Sequence, residues 1–395
     1  MKKRLLTVVF VLLLAAYSTR ATPLNTRASR LPEIVDSVLV FPLQGQHVHG
    51  SSVVELPNGD FLLAWFQGSG ERTADDVRIM GARLKKGTRT WGAPFELADT
   101  PDLPDCNPVL FMAGDRLFLV WIAVLANQWE NSLLRLRSTT AFGDTGAPTW
   151  QWQDNILLKP DAQFAEEVAA RLRELPPQQH GWSAYAPKYD ELTLQAAKDV
   201  AKRSIGWMTR IKPLVSGNRI LLPVYSDGFN FSMLAISEDG GRFWKPSLPI
   251  VGRGPIQPAL AQRKDGTLVA YMRDSGDAPT RVQVSESIDG GWHWTAARKT
   301  EIPNGASVEV VVLRDGRWAM LGNDVDDGRY RLSLYFSDDE GKTWGVKMPI
   351  EYDNTKKHRY SYPSLIQGTD GLLHISYSYH LGDERKAIKY VTVKP

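Results

Sequence analysis

Apolar residues along the chain gather into short runs, each set off by a polar turn that holds a glycine. Six such units occur: PNGDFLLAWF around Gly59, AGDRLFLVWIA around Gly114, SGNRILLPVYS around Gly217, KDGTLVAYMR around Gly266, RDGRWAMLGN around Gly316 and TDGLLHISYSY around Gly371. Turn chemistry followed by branched and aromatic residues predicts a β-hairpin at each. A second pattern falls between consecutive copies. Ser, Asp, Gly and Trp recur at the same offsets in SEDGGRFW from Ser237, SIDGGWHW from Ser287 and SDDEGKTW from Ser337, a period of 50 residues. Several short strands per unit at that period predict an all-β fold, a six-bladed β-propeller with one four-stranded blade per unit.

The turn glycines also locate an interruption. Gly59 and Gly114 are 55 residues apart, and Gly217, Gly266 and Gly316 follow at 49 and 50, but Gly114 and Gly217 are separated by 103. The excess, about residues 161–202, contains DAQFAEEVAARLREL and YDELTLQAAKDVAKR, with apolar positions at helical spacing, acidic residues early and basic residues late. This predicts a helical insertion of two helices between blades 2 and 3, capping one face. GTRTW at Trp91 and GAPTW at Trp150 read as weak remnants of the Trp box in the first two blades. The boxes themselves read as structural. Their Asp side chains can accept from backbone N–H groups of their own turn, and the Trp packs between sheets, so Asp239, Asp289 and Asp339 are poor catalytic candidates.

Composition changes the picture in three places. Of 395 residues 43% are hydrophobic and 23% charged, ordinary for a chain that buries a large core. The net charge of +3, from 47 basic and 44 acidic residues with no polybasic block, gives no electrostatic case for nucleic acid or an anionic membrane surface. MKKRLLTVVFVLLLAAYSTRATP combines a basic start, an apolar run from Leu5 to Ala16 and small residues at Thr19 and Ala21. It reads as a cleaved signal peptide over residues 1–21, ahead of a propeller over 30–395 that is secreted or periplasmic, free of the membrane after cleavage, and monomeric. Cys106 is the single cysteine, which excludes an intrachain disulfide and suits a small buried hydrophobe. No metal-ligand spacing or phosphate loop occurs, so neither metal nor cofactor is expected.

Three Asp boxes on six blades behind a signal peptide resemble the secreted bacterial sialidase (neuraminidase) superfamily with its BNR repeats, over about residues 35–395 apart from the insertion. The resemblance implies an exo-α-sialidase type of glycoside hydrolase acting on terminal acidic sugars. Such enzymes hold the substrate carboxylate with three Arg, use a Tyr nucleophile paired with a Glu, and use an Asp as acid/base. Fork-shaped guanidinium groups match a planar carboxylate, and a phenol attacks well only once it has lost its proton. Carried over to this chain, the second Arg falls on Arg273 in LVAYMRDS, and the third on Arg329, with Arg331 as the competing position. The nucleophile falls on Tyr362 in RYSYPSLIQGTDG, with Tyr360 as its neighbour. The acid/base region is GSGERTADDVRIMGAR, which offers Glu71, Asp75 and Asp76, with Asp76 first and Asp75 next.

Two positions depart from the family. HVHGSSVVELPNGDFLLAWF puts His49 or Gly50 where the first Arg stands, and Gln257 in GPIQPAL occupies the place of the Glu. Gln cannot take a proton from Tyr, whereas His49 can serve as a neutral base or, protonated, replace the missing Arg. Asn107, Lys212, Asn323 and Asp324 are further candidates for lining the pocket. Three readings follow: a sialidase; a hydrolase or lyase on uronate-bearing glycans with His49 as base; and a non-catalytic glycan-binding propeller. All three expect a carboxylate-bearing glycan as the partner.

Overall fold

The computed structural model describes residues 31–143, 145–177 and 189–395. The expected leader, residues 1–21, lies outside the described residues.

Six antiparallel sheets of four strands follow one another around a ring. Blade 1 consists of His47–Glu55, Phe61–Gly68, Arg78–Leu84 and Phe95–Ala98; blade 2 of Asp105–Ala113, Arg116–Val124, Ser132–Thr139 and Trp152–Asn155. Blade 3 holds Leu214–Ser216, Arg219–Ser226, Phe231–Ser237 and Lys245–Pro246, and blade 4 holds Pro255–Gln262, Leu268–Asp274, Arg281–Ser287 and Arg298–Pro303. Blade 5 is Glu309–Val312, Trp318–Gly322, Arg331–Ser337 and Lys347–Tyr352. Blade 6 takes Arg359–Gln367, Leu373–His380 and Lys386–Lys394 from the end of the chain and its outermost strand, Glu33–Leu39, from the beginning. That last pairing, with Ile34 opposite Val393 and Val38 opposite Tyr390, closes the ring and covers the edge that the final blade would otherwise leave open.

Because each blade is a simple meander, its first and third turns share one face of the ring. All six turn glycines and all three Trp boxes lie there. The boxes behave as structural turns. Asp239 Oδ1 accepts from Ser237 Oγ at 2.8 Å and from the Phe243 amide at 3.0 Å, and Trp294 Nε1 donates to Gly291 O at 2.9 Å. They also fasten neighbouring blades together: Arg219 of blade 3 donates to Gly290 O in the box of blade 4, and Tyr271 Oη of blade 4 donates to Gly341 O in the box of blade 5. The second turn of every blade, and the links between blades, lie on the opposite face.

The insertion leaves blade 2 and enters blade 3 on that opposite face. Helix α1 (Gln163–Glu174) buries Phe164, Val168 and Leu172, one stripe at a spacing of four. The Phe164 ring packs 5.4 Å from Phe229 and 6.0 Å from Trp207. Where two helices are predicted, the described residues contain three. Asp199 takes an extended backbone and caps Ala201 N at 2.9 Å, breaking the second predicted helix into α2 (Tyr189–Lys198) and α3 (Val200–Ser204). Tyr189 Oη donates to Phe229 O at 3.0 Å and Arg253 pairs with Asp190 at 2.9 Å, which pins the insertion beside blades 3 and 4. Among the described residues no helix is long and apolar enough to cross a membrane.

Candidate active site

The floor of the site is made by a backbone irregularity repeated in four innermost strands. Pairing slips between His49 and Ser52, between Cys106 and Val109, between Ile256 and Ala259, and between Ser361 and Ser364. Within each slip one residue takes a positive φ: Gly50 at 64°, Asn107 at 51°, Gln257 at 57° and Tyr362 at 56°. A left-handed conformation costs a side chain such as Tyr or Gln about 1–2 kcal/mol, so the surroundings must hold it. Pro108, Pro258 and Pro363 follow three of these residues and, lacking an N–H, lose no ladder bond there. Bulges of this kind re-aim side chains beside functional sites. Here they align a polar chain. Asn107 Nδ2 donates to Tyr225 Oη at 3.2 Å, and the Gln257 amide bonds to the hydroxyls of both Tyr225 and Tyr362.

Cations converge on Tyr362. Arg273, near the end of the second strand of blade 4, donates from Nη1 to Tyr362 Oη at 3.1 Å. Arg329, from the second turn of blade 5, places its guanidinium carbon 5.0 Å from the centre of the Tyr362 ring and donates to Ser361 Oγ at 3.5 Å. Arg210 also lies 5.0 Å from that ring. It is buried, and it donates to Ser51 O at 3.3 Å and Pro363 O at 3.0 Å, tying the bulges of blades 1 and 6 together. None of the three is in an ion pair among the described residues. Beside them Lys212 pairs with Glu309 at 2.8 Å, and Glu309 accepts from the Leu365 amide at 3.0 Å. Lys212 therefore braces the innermost strands. Burial works to raise the Tyr362 phenol, but the positive charges of Arg273 and Arg329 and the bond from Gln257 outweigh it, and its pKa falls below the ordinary phenolic value.

A cleft of about 520 Å³ opens above this floor, lined among others by His47, His49, Glu71, Arg329, Tyr362 and His380. His49 packs against Tyr362 with ring centres 4.1 Å apart and ring planes tilted by 51°, and its Nδ1 shares a hydrogen bond of 2.7 Å with Ser378 Oγ. Burial, then the charge of Arg329, pushes its pKa well below the usual value. His49 is thus neutral and does not replace the missing Arg as a cation. Burial likewise lowers His47 and His380 to about 4. Glu71 is the carboxylate of its loop that reaches the cleft. Burial raises its pKa against the opposing pull of Arg329 and Arg72, so it keeps its proton to higher pH than an ordinary Glu.

The remaining predicted residues are placed elsewhere. Asp76 folds back on its own loop, accepting from the Ser69 amide at 3.0 Å and Ser69 Oγ at 2.8 Å, and lines a separate shallow cleft with Gln46 and Arg78. Asp75 accepts from Asn127 Nδ2 at 3.2 Å at the surface. Asp76 is held by its own loop and Asp75 by Asn127 of blade 2, and neither lines the cleft. Arg331 is paired with Asp324 at 2.7 Å, which leaves Arg329 as the cleft residue of the two. Asn323 is buried and bonds Arg331 O and Tyr360 O, each at 2.7 Å, holding the turn that carries Arg329. Tyr360 is a core aromatic stacked on Tyr379. Three contributors escape the sequence reading: Arg210, Tyr225 and Asp227. Asp227 is exposed in the second turn of blade 3, and desolvation beside its neighbours raises its pKa against the pull of Arg273.

Comparison with known proteins agrees with this architecture. The profile of the BNR repeat-like domain matches residues 59–173 and 192–375. A sialidase of Bacteroides fragilis is 23% identical over 154 residues, which is 37% of this chain and 28% of that enzyme. The match therefore spans little more than a quarter of that relative's length. Among solved structures, a Dyadobacter fermentans protein of unknown function superposes with a TM-score of 0.66 at 16% identity, covering 92% of this chain and 98% of the other. The leech intramolecular trans-sialidase gives 0.62 at 13% identity, with coverage of 90% and 70%. With the profile matching most of its length, the chain belongs to the BNR repeat-like domain family, and the sialidases share its propeller.

Proposed function

We propose that this protein is an exported glycoside hydrolase of the exo-sialidase type, which removes a terminal acidic sugar with Tyr362 as its nucleophile. The observation that carries the reading is the Tyr362 phenol, bonded to Arg273, flanked by Arg329 and lowered in pKa at the floor of the cleft. In family members a Glu takes the phenolic proton. Here Gln257 occupies that place as a hydrogen-bond partner, and the two Arg supply the stabilisation of the phenolate.

The same two guanidinium groups bind the sugar carboxylate. The Tyr362 phenol, lowered in pKa, gives its proton to solvent before attack; the phenolate oxygen then forms a bond to the anomeric carbon as the glycosidic C–O bond breaks, and Glu71, protonated, gives its proton to the departing oxygen. Water then attacks the anomeric carbon, Glu71 takes a proton from it, and the Tyr362–carbon bond breaks with retention of configuration. Export rests on the leader-like residues 1–21.

The neutral His49 against Tyr362 favours a second reading on a uronate-bearing glycan. His49 removes the proton beside the carboxylate, the C4–O bond breaks, and Tyr362 protonates the leaving oxygen. Incubation of the purified protein with a fluorogenic sialoside and a panel of uronate glycans separates the two. Release of the fluorophore supports the first. An unsaturated, ultraviolet-absorbing sugar supports the second, and the absence of turnover on every acidic glycan overturns both.

A further inference from the structure

One wall of the cleft carries cations that the proposed reaction leaves unused. Arg359, His380 and Lys386 stand side by side at the cleft edge of blade 6. Arg359 is opposite His380 in one strand pair and His380 is opposite Lys386 in the next. Lys357, two residues ahead of Arg359, lines the same wall. Like charges in neighbouring cross-strand positions repel, and an acid in the position between them would relieve this. Here that position is held by a neutral histidine. Burial lowers the pKa of His380, and Lys386, Arg329 and Arg359 lower it further, so these charges act on one spot. Lys357, Arg359 and Lys386 have no ion-pair partner among the described residues. Asp383 also lines the cleft, and Glu71 is the other acid in its lining. Arg329 is likewise unpaired, so the lining of the cleft gathers four Lys and Arg cations against two carboxylates, with Arg273 beneath them on the Tyr362 hydroxyl.

One carboxylate on a terminal sugar accounts for Arg273 and Arg329. It leaves Lys357, Arg359 and Lys386 without a counter-charge. We infer that these three form a second anion-binding subsite, and that the natural ligand is a glycan bearing a further anionic group one or two sugars along from the one above Tyr362. A carboxylate and a sulfate ester share the required chemistry. The inference rests on the proposed use of Arg273 and Arg329 for the first anion, and on the register of blade 6 for the second.

The test is calorimetric binding at low ionic strength to the Tyr362→Phe variant, which retains Arg273 and Arg329 and cannot consume the ligand. Three probes are compared: sialyllactose with one carboxylate, an unsulfated chondroitin tetrasaccharide with a carboxylate on alternate sugars, and its sulfated counterpart. One of the chondroitin probes is expected to bind about tenfold more tightly than sialyllactose, because several partly exposed ion pairs, each weak alone, add to that range. Preference for the unsulfated or the sulfated form identifies the second anion. Replacing Lys357, Arg359 and Lys386 together by Gln is expected to reduce the preference to about twofold or less, and 0.5 M salt to do the same. Equal affinity for all three probes, or a preference that survives the triple substitution, overturns the subsite. If sialyllactose fails to bind while a chondroitin probe binds through the three cations, the subsite stands and the sialidase reading falls.

Discussion

The two faces of this propeller follow opposite rules. On the face that holds the turn glycines and Trp boxes, the same short sequences recur at a period of 50 residues and make the same hydrogen bonds each time, as in Asp239 and Asp289 with the amides of their own turns. On the other face, the second turns of the blades share no sequence and supply different chemistry: Glu71 from blade 1, Asp227 from blade 3, Arg329 from blade 5, and in blade 6 Asp383, next to the strand-end His380. The repeated face fixes the ring, and the varied face uses it. Repetition therefore marks the residues that carry the fold, and its absence marks those that carry function.

The sharpest way to break this contrast is substitution at Tyr362. Tyr362→Phe keeps the ring in its bulge and removes the oxygen. Turnover of an acidic glycoside is expected to fall by about 10³-fold or more with the unfolding midpoint nearly unchanged, as measured by initial rates and thermal denaturation. Arg273→Lys comes next. Lys keeps the charge but cannot fork onto a carboxylate, so kcat/KM is expected to drop about 10- to 100-fold. Lys264→Ala, an exposed change on the repeated face, is expected to leave kcat/KM as it is. Equal effects of these two changes would remove the distinction between the faces.

The converse experiment acts on the repeated face. Gly341 sits at φ 79° in the third box, and a Cβ there would meet the hydroxyl of Tyr271 and the ring of Trp318. Gly341→Ala is expected to cost about 2–3 kcal/mol of stability, read by denaturant unfolding, with kcat unchanged below the transition. Loss of kcat without loss of stability would contradict a purely structural role for the boxes.

Two pH effects are smaller. Glu71 must be protonated to donate, and burial raises its pKa, so activity on substrates with poor leaving groups is expected to fall as pH rises through that raised value. Glu71→Gln should remove this alkaline limb and spare substrates whose leaving group needs no proton. His47 and His380 titrate near 4 in the folded protein and near 6.5 once unfolded. The unfolded chain therefore binds more protons between those values. Stability is expected to rise with pH from about 4 to 6.5 and then level off, and His47→Gln with His380→Gln should reduce that slope in thermal melts, leaving the part due to His49.

The contrast also explains how far the sequence could be read. Blade number, box geometry and the place of the insertion were legible because each depends on a local pattern, a glycine turn ahead of an apolar run. Arg273, Arg329 and Tyr362 were legible through their resemblance to family positions. Residue type and loop position rank Asp76 ahead of Glu71, because they do not say which carboxylate its own loop will claim, and here Ser69 claims Asp76. Arg210 was missed because its contacts are with carbonyls of Ser51 and Pro363, about 150 residues away in sequence on either side. One local signal for the floor was present: Asn107-Pro108-Val109-Leu110, Gln257-Pro258-Ala259-Leu260 and Tyr362-Pro363-Ser364-Leu365 share a residue-Pro-residue-Leu pattern at equivalent points of three innermost strands. That recurrence marks the bulges, and it brings together Gln257 and Tyr362, which lie more than a hundred residues apart.

The central claim is that Tyr362, activated by Arg273 and Arg329, bonds covalently to an acidic sugar. The most direct measurement is the mass of the intact protein after incubation with a fluorinated acidic glycosyl donor that forms a glycosyl-enzyme faster than it is hydrolysed, followed by peptide mapping. The account predicts a gain of one sugar per chain, located on the peptide containing Tyr362 and absent from Tyr362→Phe. Steady turnover of the corresponding natural glycoside with the label on another residue, or with no label at all, would contradict it.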